Sequence, residues 1–287
     1  MADWSKIGSR GSVDDRRGST QRLGIAGGGM GLAVFAIITL FNIFNGGNIQ
    51  LNPKDILSTL NQVQVGQQDG EQAVEFKGDD DYETFASSVL GSNNDIWSSV
   101  FQQSGKTYQP PTLVLFRGAT NSECGYAASQ VGPHYCPADQ TIYLDETFFE
   151  ELKTKYGGTD EDVAQAYVIS HEVGHHVQNQ LGIMSQVQSE MQSSSQARAN
   201  QLSVQLELQA DCFAGVWANS IKDAGIFGPN EVLEAMQAAE AVGDDRIQQQ
   251  TQGYITPETW THGSSQERVD WFTRGWEAGQ PSACNTI

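Results

Sequence analysis

The chain has 287 residues, 38% of them hydrophobic, which is enough for one domain with a sizeable core plus appendages, and it carries no internal repeat. Its 35 acidic and 16 basic side chains give a formal net charge of −19, which argues against nucleic acid as a partner, since that binding rests on clustered Lys and Arg. The same acidity favours cationic or unfolded polypeptide as a substrate.

Residues 1–22 hold Lys6, Arg10, Arg16, Arg17 and Arg22 with little that is apolar, and read as a basic tail. Leu23 to Phe44 comes next without a charge, long enough as a helix to cross a hydrocarbon layer of roughly 30 Å. Apolarity all round argues against a core helix, and the absence of a small-x-small site near Asn45 argues against a cleaved signal peptide. The positive-inside rule then puts the amino terminus in the cytoplasm and the rest outside, on a single-pass membrane helix. Gly24, Gly27, Gly28 and Gly31 have the spacing that pairs such helices into a homo-oligomer, although simple tolerance of Gly in membrane helices is the favoured reading. Residues 45–75, rich in Gly, Asn and Gln, read as a flexible tether with a short helix at 53–62, and residues 76–287 as the folded domain.

That domain opens with helical patterning over 79–103, then Pro110 and Pro111, a strand from Thr112 to Arg117, a second strand from Thr141 to Asp145, and a helix from Glu146 to Tyr156. The next helix has Thr159 as N-cap, Asp160, Glu161 and Asp162 in an acidic first turn, and Gly182 as its stop. Val163, Ala166, Tyr167, Ser170 and Gly174 recur along it at the spacing of a core face. It carries His171, Glu172 and His175 in the pattern H-E-x-x-H. Residues four apart share a helix face, so both imidazoles can turn a nitrogen toward one metal ion, while Glu172 stands beside that ion and can take a proton from its water and return it to a leaving amine. His176 lies about 100° round from the metal face and reads as exposed or as a neighbour of the ligands.

A catalytic zinc site wants a third protein ligand. The extended pattern H-E-x-x-H-x-x-G-x-x-H is excluded, because Gln178 and Leu181 stand where Gly and His are needed. Met184 to Ala224 reads as one or two helices and contains L-E-L-Q-A-D-C-F-A-G-V-W, in which Glu207 and Asp211 share a face. An acidic pair at that spacing is by itself more often a solvated surface, and the competing Glu190 sits in a polar, exposed run. Pro229 to Val242 and Ser265 to Ala278 read as two further helices, the second capped by Ser264 or Ser265 with Glu267 behind. His262, just before that cap, reads equally well as a surface histidine. The class is mainly α with a small β-sheet. Four cysteines outside the cytoplasm default to disulfides with three available pairings; Cys124–Cys136 and Cys212–Cys284 are the expected ones, with Cys212 as a zinc ligand the sharper alternative.

On H-E-x-x-H and the later E-x-x-x-D the chain resembles the thermolysin-like zinc peptidases, the gluzincins. The resemblance implies Zn2+ held by His171, His175 and Glu207, with Asp211 orienting His171. T-H-G-S-S-Q-E-R is similar to the T-H-P-x-x-x-x-R segment of membrane-associated gluzincins, with Gly263 in the place of Pro. It implies that His262 stabilises the oxyanion and that Arg268 positions substrate or braces Asp211. Together with C-G-Y-A-A-S-Q-V-G-P-H-Y-C-P-A-D-Q-T-I-Y-L-D and G-D-D-R-I-Q, these segments make residues 76–287 resemble the bacterial neutral zinc metallopeptidase family. That resemblance implies a zinc-dependent peptidase, and joined to the apolar stretch before it the expectation is an α+β, gluzincin-like core behind one transmembrane helix, acting as a zinc endopeptidase on polypeptide outside the cytoplasm. In gluzincins a sheet edge over the site helix takes the substrate backbone as an added strand; the sequence leaves open whether that edge is Thr112–Arg117 or Thr141–Asp145. Two rival readings are a non-catalytic envelope scaffold with a closed zinc site and a hydrolase of peptidoglycan crosslinks.

Overall fold

The computed structural model describes residues 4–17, 80–129, 132–156, 162–226 and 229–287. The apolar stretch 23–44, the tether 45–75 and the expected cap residues 159–161 lie outside these. Among the described residues no helix is long and apolar enough to cross a membrane.

The described chain is mainly helical with a small sheet. Its helices are α1 (Asp81–Gln103), α2 (Phe148–Tyr156), α3 (Asp162–Gln180), α4 (Ile183–Ser193), α5 (Gln196–Ser220), α6 (Pro229–Ala241), α7 (Asp244–Gln252) and α8 (Ser265–Ala278). The strands are β1 (Ser12–Asp15), β2 (Thr112–Phe116), β3 (Ala119–Ser122), β4 (Gly125–Ala128), β5 (His134–Cys136) and β6 (Thr141–Asp145). The four-stranded sheet runs β1-β2-β6-β5, parallel except for the β5–β6 pair, and β3 with β4 forms a separate antiparallel hairpin. Most expected elements lie within two residues of where periodicity puts them. The region 184–224 divides into α4 and α5 at Ser194–Ser195, where Ser195 leaves helical geometry and its side chain accepts from the Arg198 N–H.

The amino-terminal segment departs from its reading as a tail. Trp4 and Ile7 are 7% and 6% exposed and join the core, and burying two such side chains contributes about 1.5–3 kcal/mol each. Ser9 and Arg10 pass over α1 at Gly91, where a Cβ on Gly91 would stand 2.6 Å from the Arg10 nitrogen. Gly11 N–H donates to Ser87 O at 2.7 Å, and β1 then pairs in parallel with β2, Ser12 opposite Thr112. The basic residues that suggested a solvated tail have partners in the fold: Arg16 reaches Asp14 and Thr120, and Arg10 reaches the carbonyls of Ile7 and Ser9.

Neither strand read from the sequence is a sheet edge. β2 lies between β1 and β6, and β6 between β2 and β5, so the terminal strand nearest α3 is β5. Three residues are too few to leave an alternation in the sequence, and α7, written D-D-R-I-Q-Q-Q-T-Q, is too polar to show an apolar face.

At the centre, α3 is buried through most of its length and packs against α5. The close crossing falls on Gly174, where a Cβ would stand 3.0 Å from the Ala210 Cα and carbonyl. A larger residue there would push apart the two helices that carry the candidate site.

Candidate metal centre

α3 presents His171 and His175 one turn apart, their ring centroids 4.7 Å from each other. Trp4 Nε1 donates to Asp162 Oδ2 at 2.7 Å at the start of this helix, and Ser170 Oγ donates to Asn93 Oδ1 at 2.9 Å along its α1 side. From α5, Glu207 places Oε2 3.1 Å from His171 Nε2 and Oε1 3.4 Å from His175 Nε2. The three ligand atoms lie within 4.8 Å of one another.

The donor set fits zinc. Each imidazole has its Nδ1 committed elsewhere, His171 to Asp211 Oδ1 at 2.7 Å and His175 to Gln178 Oε1 at 2.9 Å. Since both of those oxygens accept, both Nδ1 atoms donate, and Nε2 of each ring is the nitrogen that faces Glu207 and would ligate zinc. Among the described residues the set is two imidazoles and one carboxylate, three protein donors of the types zinc takes. Cys212 is no ligand: its sulfur is bonded to Cys284 at 2.01 Å, and Cys124 is bonded to Cys136 at 2.04 Å.

Asp211 is fully buried and accepts four hydrogen bonds: from His171, from Tyr167 Oη at 2.5 Å, and from Arg268 Nε and Nη2 at 2.8 and 2.9 Å. Burial pushes its pKa up, but the paired Arg268 charge and His171 outweigh that and hold it at about 2. Arg268, 4% exposed on α8, therefore braces Asp211 and not a substrate. Glu172 is 6% exposed and belongs to the turn between the two histidines, outside the ligand triplet.

His262 stands at the rim, with half of its side chain exposed, in a turn organised by a residue not expected at the site. Asp244, at the start of α7, accepts from the backbone N–H groups of Thr261, His262 and Gly263 and from His262 Nδ1 at 3.2 Å. Desolvation raises the Asp244 pKa, and the hydrogen bond from the His262 ring more than offsets it. Gly263 has φ +90°, a left-handed conformation closed to the Pro of the resembling segment, and it donates an N–H that Pro lacks. The G-D-D-R pattern was the sole sequence signal for Asp244; nothing local ties it to a turn 17 residues on.

Gln178 and Tyr167 were also missed, since neither type advertises a link to a metal ligand. His176 is neither exposed nor beside the ligands. It is fully buried on the opposite side of α3, donating from Nε2 to Gln109 O at 2.6 Å and accepting from Tyr135 Oη at 3.0 Å. Burial lowers its pKa to about 4, so it stays neutral while it ties β5 to the site helix.

The chain matches the family described as "Putative neutral zinc metallopeptidase" over residues 2–287. The uncharacterized protein YpfJ of Escherichia coli strain K12 is 42% identical over 278 residues, covering 96% of this chain and 95% of that protein. The uncharacterized protein Rv2575 of Mycobacterium tuberculosis strain H37Rv is 42% identical over 190 residues, covering 63% of each. No solved structure matches the chain.

Proposed function

This chain belongs to the neutral zinc metallopeptidase family, and from that premise we propose that it is a zinc endopeptidase with Glu172 as its general base. Zinc held by His171, His175 and Glu207 would polarise a peptide carbonyl and make water a nucleophile near neutral pH. Glu172 takes the proton from the attacking water and hands it to the departing amine nitrogen. His262, aimed by Asp244, donates a hydrogen bond to the oxygen that becomes negative in the tetrahedral intermediate. The polypeptide backbone adds to β5, the terminal strand nearest α3, which His176 ties to that helix. The observation that carries this reading is the convergence of two Nε2 atoms and the Glu207 carboxylate, with both Nδ1 atoms already committed.

Purified protein is expected to hold one zinc and to cleave casein or a fluorogenic peptide. Chelation should remove that activity and added zinc should restore it. Release of fragments from sacculi without peptide cleavage would turn the assignment to a peptidoglycan hydrolase. Four protein donors in a metal-edge spectrum would turn it to the scaffold reading.

The same proposal puts the catalytic unit outside the cytoplasm, supported by its two disulfides, with the apolar stretch 23–44 as the membrane attachment. Since β1 belongs to the sheet of that unit, both flanks of the stretch are assigned to the outer face. In intact cells, single cysteines introduced as Gly8→Cys and Glu258→Cys should both react with a membrane-impermeant maleimide. Labelling of only the second would restore the single-crossing arrangement.

A further inference from the structure

The His175 end of the metal cage is tied to the carboxyl terminus by a chain of amides. Gln178 is fully buried. Its Nε2 donates to the Leu206 carbonyl at 2.7 Å and to Gln209 Oε1 at 3.2 Å, while its Oε1 faces His175 Nδ1. Gln209, 5% exposed, donates its own Nε2 to the Cys284 carbonyl at 3.0 Å. Cys284 is held on α5 by its disulfide to Cys212, and the last residues are held by Thr286, which bonds Gln205 in both directions at 2.7 Å.

The direction of every bond in this chain is forced. A main-chain carbonyl only accepts, so Leu206 O fixes which end of the Gln178 amide is NH2, and Cys284 O does the same for Gln209. Gln178 is thereby left presenting an acceptor, and only an acceptor, to His175. The imidazole must answer with Nδ1–H, which makes Nε2, the nitrogen facing Glu207, the one that would ligate zinc. His171 gets the same service from a charged residue, Asp211. His175 gets it from a neutral amide whose orientation is set by two backbone carbonyls, one on α5 and one in the disulfide-pinned terminus.

We infer that Gln178 is the positioning residue that fixes the tautomer of His175 for zinc, and that Gln209 with the Cys212–Cys284 terminus is the brace that fixes Gln178. The inference rests on the zinc reading above. No single sequence pattern carries it, because its parts come from α3, α5 and the residues after α8.

The test is zinc affinity, measured by chelator competition on the full chain, together with thermal unfolding of the zinc-free protein. Gln178→Met keeps the volume and removes both functions of the amide. It is expected to weaken zinc binding about 10–100-fold, the usual effect of deleting a partner of a ligating histidine. Gln178→Glu, which still offers His175 an acceptor but sets a carboxylate oxygen against the Leu206 carbonyl, should recover only part of that loss. Wild-type affinity in Gln178→Met would overturn the inference while leaving the zinc site intact. Failure of the wild type to bind zinc would overturn the reading beneath it. Should Gln178→Met not fold, nitrogen NMR of the zinc-loaded wild type decides: coordination of His175 through Nε2 with a protonated Nδ1 supports the inference, and coordination through Nδ1 ends it.

Discussion

Glu172→Gln is expected to lower peptide hydrolysis by at least about a thousandfold while the protein still binds one zinc. General acid–base catalysis is worth about 10²–10⁴ in rate, and Glu172 is assigned two proton transfers in one turnover. The amide has nearly the shape of the carboxylate, so the packing of a side chain that is 6% exposed is preserved and only the basic oxygen is lost. Because Glu172 lies outside the triplet formed by His171, His175 and Glu207, zinc stoichiometry should not change. The measurement is kcat on a fluorogenic peptide beside elemental analysis of the same preparation. Activity within tenfold of wild type, with zinc bound, would remove Glu172 from the mechanism and leave the fold assignment standing.

Arg268→Met is expected to destabilise the protein by about 3–5 kcal/mol, the cost of leaving one partner of a buried ion pair uncompensated. For a chain of this size that lowers the melting temperature by on the order of 10 °C. The reason lies at Asp211, which is fully buried and held at a pKa of about 2 against a burial that pushes it upward. A depressed carboxylate pKa contributes stability that is present above its ordinary value, near 4, and lost as pH falls toward 2. Removing Arg268 raises the Asp211 pKa back toward or above its ordinary value, so the variant, already less stable at neutral pH, should lose less further stability than the wild type as pH falls from about 4 toward 2.

A paired substitution separates stability from metal binding. Asp211→Leu with Arg268→Met removes both charges together and should recover most of the lost stability, as replacement of a buried ion pair by apolar residues often does. It also takes from His171 the acceptor that fixes its tautomer, so zinc affinity should remain about 10–100-fold weaker. A double variant with wild-type zinc affinity would show that Asp211 serves packing alone. Calorimetry and chelator competition on the four proteins of the cycle decide the matter.

Only local patterns were readable before folding. His171, Glu172 and His175 lie within five residues, so helical periodicity alone places both imidazoles on one face. Glu207 and Asp211 came from a spacing on a second helix joined to a family resemblance, and the structure brings both to the α3 histidines. The two cysteine pairs were choices among three pairings, and both stand at disulfide distance.

By itself, then, the sequence determined which residues could bind zinc, the helix that displays them, and a mainly helical class with a small sheet. Tertiary structure decided what surrounds them. It turned the amino-terminal residues from a tail into β1, made β5 the terminal strand nearest α3, gave Asp244 to His262, and gave Gln178 to His175. The physical reason is common to the first three, and for Gln178, one helical turn from His175, it applies to the Leu206 carbonyl that orients its amide. A strand's partner and a hydrogen bond's acceptor are chosen by proximity after the chain has folded back on itself, and Ser12 meets Thr112, or Gln209 the carbonyl of Cys284, across separations over which no periodicity runs.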